Sequence, residues 1–404
     1  MKTIRLTNGL KVVFVPTNGP TLGVSFLGKA GSLYGKPGLA HFLEHTVLCA
    51  TEKYPDFASL AGSLDNLGLY RNAYTSHENM CFVFRGLPEH LGGICNFLSE
   101  VTIRPLLLES DIEKQKKIIL QEIRKQQSDP QSVARLASMR QMFGNEGAGM
   151  PVLGTEDAVM SVRRDDLVSF FNANFNAENF VLVIAGKIDE EETLDILERT
   201  MAQMPKAIKQ NTLSKLPVLG ANSENIIKDG LKQAILTVSW EAPLAIDKSR
   251  YPVYLIRLVM ADGRLSRLWQ ELRQKNAFVY SISSTSFHKE SHGKFTISTG
   301  LDLPNIDAAA SKIIETLESI AKQGITEEEL VRAKNLAKIK LIFESESSNL
   351  VAEYVANRML IGDSFESIND EVSRYMDVSL EDVKAAAESL SRSGARVSVL
   401  VPLH

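Results

Sequence analysis

No stretch of the 404-residue chain approaches the roughly 20 apolar residues that a membrane-crossing helix needs. The opening "MKTIRLTNGLKVVF" has neither the apolar centre nor the small-residue cleavage site of a secretory leader, so none is expected. Cysteine is scarce: three residues, an odd number, make no disulfide framework and fit a reducing compartment. A cytoplasmic location is the expectation. Charge of neither sign dominates, since 45 Lys and Arg against 49 Asp and Glu leave a net −4 spread along the chain. That distribution gives no footprint for nucleic acid or for an anionic membrane surface. What remains is an ordinary globular composition, 44% hydrophobic and 23% charged, long enough for two domains or more.

Asn8-Gly9 between "TIRLT" and "LKVVFV" is a strong two-residue hairpin signal. "TLGVSFLGKAG" reads as a third strand, and "GKPG" breaks into a helix over "LAHFLEHTVLCA". A strand near "NMCFVFRG", helices over "LGGICNFLSEV" and "ESDIEKQKKIILQEIRKQQ", helix "RDDLVSFFNANF", strand "NFVLVIAGKI" and an acidic helix complete the first half. The polar run 205–225 reads as a linker. The second half repeats the order, with strand "KQAILTVSWEAP", helices "RYPVYLIRLVM" and "RLSRLWQELRQK", and strands "FVYSISSTSF" and "KFTISTGL". Its end repeats the first half most closely: Asp166 sits over Asp382 and Val181 over Val397, an offset of 216 in both. One unit of about 200 residues used twice is the simplest account. The expected domains are 1–206 and 224–404.

"HFLEH" places His41 and His45 four residues apart, on one face of a helix that is otherwise apolar, with Glu44 flanking them. Buried hydrogen-bonding groups need partners, and two imidazoles one turn apart can both reach a single ion. Zinc takes imidazole and carboxylate ligands and acidifies water, whose proton a neighbouring carboxylate can accept. Glu44 is placed for that role rather than for ligation. With seven histidines in 404 residues, the arrangement arises by chance on the order of once in a hundred such chains, which favours a metal over two core histidines satisfied by carbonyls. The third ligand must come from elsewhere. On the helix 111–126, Ile112, Gln115, Ile119 and Glu122 share a stripe, with Ile118 and Ile123 beside it. A carboxylate inside an apolar stripe needs something positive opposite, so Glu122 leads, ahead of Glu78, Glu100 and Asp65.

"HFLEH" followed after 76 residues by Glu122 resembles the inverted zinc-peptidase signature of the pitrilysin, insulysin and mitochondrial processing peptidase family. The likeness runs on through "RNAYTSHENMCFVF", "MPVLGTEDAV" and "AENFVLVIAGKI" to "GRLSRLWQELRQKNAFVYSIS", in the family's order. It implies one zinc per chain on His41, His45 and Glu122, with Glu44 as the base. Asn72, Ala73 and Thr75 match the edge strand that pairs with substrate backbone. Arg273 and Tyr280 match the pair that orients the substrate carbonyl or steadies the oxyanion.

The resemblance further implies an α+β fold of two homologous domains, each a mostly antiparallel sheet covered by helices on one side. Zinc belongs to the first only: the second half has no H-x-x-E-H, and the position an equal offset from Glu122 falls near Lys338 to Lys340. Chains of this length in the family dimerise into a clamshell around an unfolded peptide, so a homodimeric zinc endopeptidase is expected. A catalytically weak or inactive partner subunit of a heterodimer is the alternative. Two features depart from the family pattern. Gln115 stands where a second glutamate is usual, and "MADGRLSRL" is poor in glycine. Cys49, one turn after His45, reads as a small buried residue.

Overall fold

The computed structural model describes residues 1–207, 210–220, 222–228, 230–231, 233–362 and 367–402. They fall into two compact units.

The first unit comprises Met1–Arg124, Pro151–Thr212 and Ile342–Ser367. Gly9 adopts φ +94°, open to glycine and strained for other residues, and turns β1 (Lys2–Arg5) back onto β2 (Lys11–Val15). The expected hairpin forms, but through three residues, Thr7 to Gly9, rather than two, since Leu6 N donates to the Leu10 carbonyl. With β3 (Leu22–Gly28), β4 (Tyr70–Thr75), β5 (Met80–Gly86) and β6 (Phe180–Ala185) they make a sheet of order β1-β2-β6-β3-β5-β4. Every neighbouring pair is antiparallel except β2 and β6. β4 is an edge. The residues of β3 and β6 are buried throughout, so these strands read as continuous apolar runs rather than as alternations.

Leu22, Val24 and Phe26 of β3 and Phe82 and Phe84 of β5 enter one core with helices Leu39–Val47, Leu91–Ile103 and Glu109–Ser128. The opposite face of β3 meets helix Ser348–Leu360, which also packs on β5 and β6. A Cβ on Gly23 would stand 2.2 Å from the Ser348 carbonyl carbon, so this helix reaches the sheet only over glycine.

The second unit comprises Lys125–Met150, Leu213–Leu341 and Ile368–His404. Its strands are β7 (Ser223–Lys228), β8 (Ala234–Glu241), β9 (Val279–His288), β10 (Gly293–Leu301) and β11 (Arg396–Pro402), in the order β7-β11-β8-β10-β9. Only β7 and β11 are parallel. Place for place this is β2-β6-β3-β5-β4 of the first unit, and β11 falls where β6 does, as the repeat at Val181 and Val397 implied. Helix Pro130–Phe143 packs on β8 and β11, with Ala134 clustered with Ile235 and Leu400.

Two features were not in the sequence reading. The compact units differ from the spans 1–206 and 224–404 by an exchange: Lys125–Met150 joins the second unit and Ile342–Ser367 the first. Each sheet thereby gains a helix on the face away from its main helical layer. Chain order does not choose a helix's partner; the apolar surface it can bury does. The linker read over 205–225 ends early, because β7 starts at Ser223 and pairs with β11. The helix predicted over "RLSRLWQELRQK" forms, with Trp269–Lys275 wound as a π-helix. No helix among the described residues is long and apolar enough to cross a membrane.

Candidate metal centre

Helix Leu39–Val47 is buried nearly all round, through Leu39, Ala40, Phe42, Leu43, Thr46 and Val47. Its start is held by a backbone contact that only glycine permits. Gly38, at φ +82°, precedes the helix, and a Cβ on it would stand 2.8 Å from the Leu153 carbonyl oxygen. Gly154 (φ +76°) faces it equally closely. With the helix pinned in this way, the one face left partly open is the one carrying His41 and His45, whose rings meet edge to face at 4.6 Å.

The third group comes from helix Glu109–Ser128. Ile112, Ile119 and Ile123 anchor it in the core, whereas Ile118, read from the sequence as flanking that stripe, is exposed. This rotation points Glu122 at the histidines: its Oε2 lies 3.6 Å from His41 Nε2 and 3.5 Å from His45 Nε2. One ligand atom from each of the three lies within 4.8 Å of the others, and no other group of this kind occurs among the described residues. Glu100 instead accepts from Lys53 N and Arg104, and Asp65 pairs with Arg71 at 3.0 Å. An ion bound at about 2.0–2.1 Å in tetrahedral geometry asks for ligand atoms about 3.3–3.4 Å apart. The measured separations therefore fit zinc. Burial, and then the neighbouring His45, hold the His41 imidazole down to about 3, so its ring is neutral near pH 7, the state a ligand needs.

The groups around the trio are ordered. His45 Nδ1 is 3.0 Å from Gln115 Oε1, and Gln115 Nε2 donates to Cys49 Sγ at 3.2 Å. The Cys49 thiol bonds to the His45 carbonyl and Gln115. Glu44 is buried, and Thr75 Oγ1 donates to its Oε2 at 2.5 Å. Burial raises the Glu44 carboxyl above the usual range, against the lowering effect of Thr75 and His45.

The other residues singled out from the sequence are placed as follows. Asn72, Ala73 and Thr75 lie on β4, with Asn72 exposed and Thr75 bonded to Glu44. Arg273 and Tyr280 lie together in the second unit. The Arg273 guanidinium stacks 4.6 Å from the Tyr280 ring and 4.9 Å from Trp269, and it donates to the Tyr280 carbonyl. The Tyr280 side chain is 80% exposed, so the pair is a surface feature held by cation–π stacking. The sequence reading missed Tyr74 and Glu353, whose side chains meet beneath β4. Their separation of 279 residues leaves no local signal.

Two units of one topology define a fold that is found among solved structures. The fold is similar to a protease from Helicobacter pylori, with a TM-score of 0.90 and 20% identity over 99% of both chains. It is also similar to a putative M16-like peptidase from Alicyclobacillus acidocaldarius, with a TM-score of 0.87 and 21% identity over 100% of this chain and 98% of that one. The family model described as insulinase (peptidase family M16) matches residues 15–156, and the one described as peptidase M16 inactive domain matches residues 161–337. The chain belongs to the insulinase family, peptidase family M16, in its short two-domain form. Its relatives include an uncharacterized zinc protease of Rickettsia bellii, 27% identical over 98% of this chain and 97% of the relative. One of Bacillus subtilis is 25% identical over 100% and 98%.

Proposed function

We propose that this chain is a cytoplasmic zinc endopeptidase that hydrolyses unfolded peptides or small polypeptides inside a homodimer, with one zinc per chain. The observation that carries the reading is the placement of His41 Nε2, His45 Nε2 and Glu122 Oε2 at the spacing of one tetrahedral ion, with Glu44 flanking on the same helix. When bound, zinc supplies Lewis-acid polarisation of the scissile carbonyl and an acidified water. The chain's own groups do the rest. His41, His45 and Glu122 hold the ion. Glu44 takes the water's proton and returns it to the leaving amine. Thr75 steadies the Glu44 carboxyl through its hydroxyl.

The open edge of β4, at Asn72, Ala73 and Thr75, pairs with the substrate backbone and lays the scissile bond beside Glu44. Arg273 and Tyr280 serve the carbonyl oxygen, those of one chain acting on the zinc half of its partner. Gln115 favours a second reading, a weak or inactive subunit, because an amide supplies one negative charge fewer near the ion than a carboxylate. Metal content and hydrolysis of a quenched peptide, with chelator and after zinc is restored, separate the two. The first reading expects close to one zinc per chain and turnover that chelator abolishes and zinc restores. Zinc-loaded protein without turnover, or protein that takes up no zinc, would support the second.

A further inference from the structure

The edge strand β4 has two faces, and the metal trio lies toward only one. Side chains alternate along a strand: Thr75 reaches Glu44, and Ala73 packs into the core that includes the zinc helix. Asn72 and Tyr74 project the other way, onto the face covered by helix Ser348–Leu360. There the Tyr74 hydroxyl donates to Glu353 Oε2 at 3.3 Å. Glu353 is half-buried, and its second partner is Asn349, one turn earlier on the same helix. No lysine, arginine or histidine among the described residues pairs with it. Burial holds its carboxyl above the ordinary range, the mark of an acid without a counter-charge.

Two neutral donors leave about half of a carboxylate's acceptor sites open and its charge uncompensated. A peptide paired along β4 would run about 4.8 Å outside it, with every second side chain on the Tyr74 face. The apolar stem of a lysine or arginine there can lie along the Tyr74 ring and carry its cation to the waiting carboxylate. Shorter or uncharged side chains cannot. We propose that Glu353 and Tyr74 form a side-chain subsite that selects lysine or arginine in the substrate strand, so that basic peptides are the preferred substrate class. This rests on reading β4 as the substrate edge of a peptidase.

The test uses quenched peptides in which a single lysine is moved through the positions flanking the cleavage site, each paired with its norleucine counterpart. For the zinc-loaded wild type, kcat/KM should favour lysine over norleucine about five- to tenfold at one position on the Tyr74 face. Glu353→Gln, which keeps the shape and loses the charge, should bring that ratio close to one. Glu353→Lys should invert the choice toward a glutamate-containing peptide, which a merely structural role cannot do. If Glu353→Lys is not recovered folded, the glutamine variant decides. A wild type with no lysine preference at any position, or an unchanged ratio in the glutamine variant, overturns the subsite. If wild type cleaves none of the peptides, the peptidase reading fails by itself. The same pairs are then compared for binding by fluorescence anisotropy, where loss of a lysine preference in Glu353→Gln upholds the subsite and equal binding overturns it.

Discussion

Gln115 sits between His45 and Cys49, its Oε1 3.0 Å from the ring Nδ1 and its Nε2 3.2 Å from the thiol. With the carbonyl end toward the ring, Nδ1 carries the proton and Nε2 presents its lone pair toward Glu122. His41 has no such support, since its Nδ1 is buried without a hydrogen-bond partner. Zinc affinity should therefore depend on this amide. Gln115→Leu is expected to weaken zinc binding about 10- to 100-fold in chelator competition, and Gln115→Glu to match or exceed wild type. Equal affinity of wild type and the leucine variant would leave Gln115 with a packing role alone.

Glu122 places its carboxylate within 3.6 Å of His41 Nε2 and 3.5 Å of His45 Nε2. Purified protein should contain close to one zinc per chain by elemental analysis, and Glu122→Gln should lose most of it. Full retention by that variant would remove Glu122 from the ligand set.

Glu44 is held by Thr75 beside the ligands without belonging to the trio. Glu44→Gln keeps shape and hydrogen bonding but cannot accept a proton. Zinc content and peptide binding should persist while turnover falls by at least about a hundredfold. Near-normal kcat would point to another base.

Arg273 and Tyr280 test the shared site. Glu44→Gln chains and Arg273→Ala/Tyr280→Phe chains should each be nearly inactive alone. If the chain dimerises as proposed, co-expression gives mixed dimers in which one site has an intact zinc half and an intact Arg/Tyr half. Activity should return up to about one working site per mixed dimer, because an oxyanion donor must stand about 3 Å from its target. Silent mixed dimers, verified by mass, would refute the arrangement.

Lys294 gives a prediction on stability. It is buried in the second unit, where it donates to Ser138 Oγ, which in turn donates to the Arg135 carbonyl at 3.1 Å. Burial, then the Arg135 and Arg396 charges, push its ammonium from 10.5 down to about 7. The unfolded chain thus takes up this proton as pH falls through 10.5, and the folded chain only near 7. The group costs nothing above that window, progressively more as pH drops through it, and a constant amount below 7, on the order of 5 kcal/mol. Lys294→Met should raise the urea midpoint at pH 7, with the gain shrinking toward pH 10. Parallel pH profiles for the two proteins would contradict it.

Much of this protein was legible in local pattern. The hairpin at Asn8-Gly9, the helix carrying His41 and His45, the stripe that aims Glu122 and the repeat linking β6 to β11 each follow from neighbouring residues, because turn chemistry and the periods of helix and strand are short-range. Ile118 marks the limit even there, since a stripe only approximates which side of a helix is covered. Sequence alone left open which sheet receives helices Pro130–Phe143 and Ser348–Leu360, whether Cys49 touches metal or amide, and that Glu353 meets Tyr74. These are partnerships between surfaces far apart in the chain, chosen by the apolar area and hydrogen bonds that packing can satisfy, and only the tertiary structure decides them.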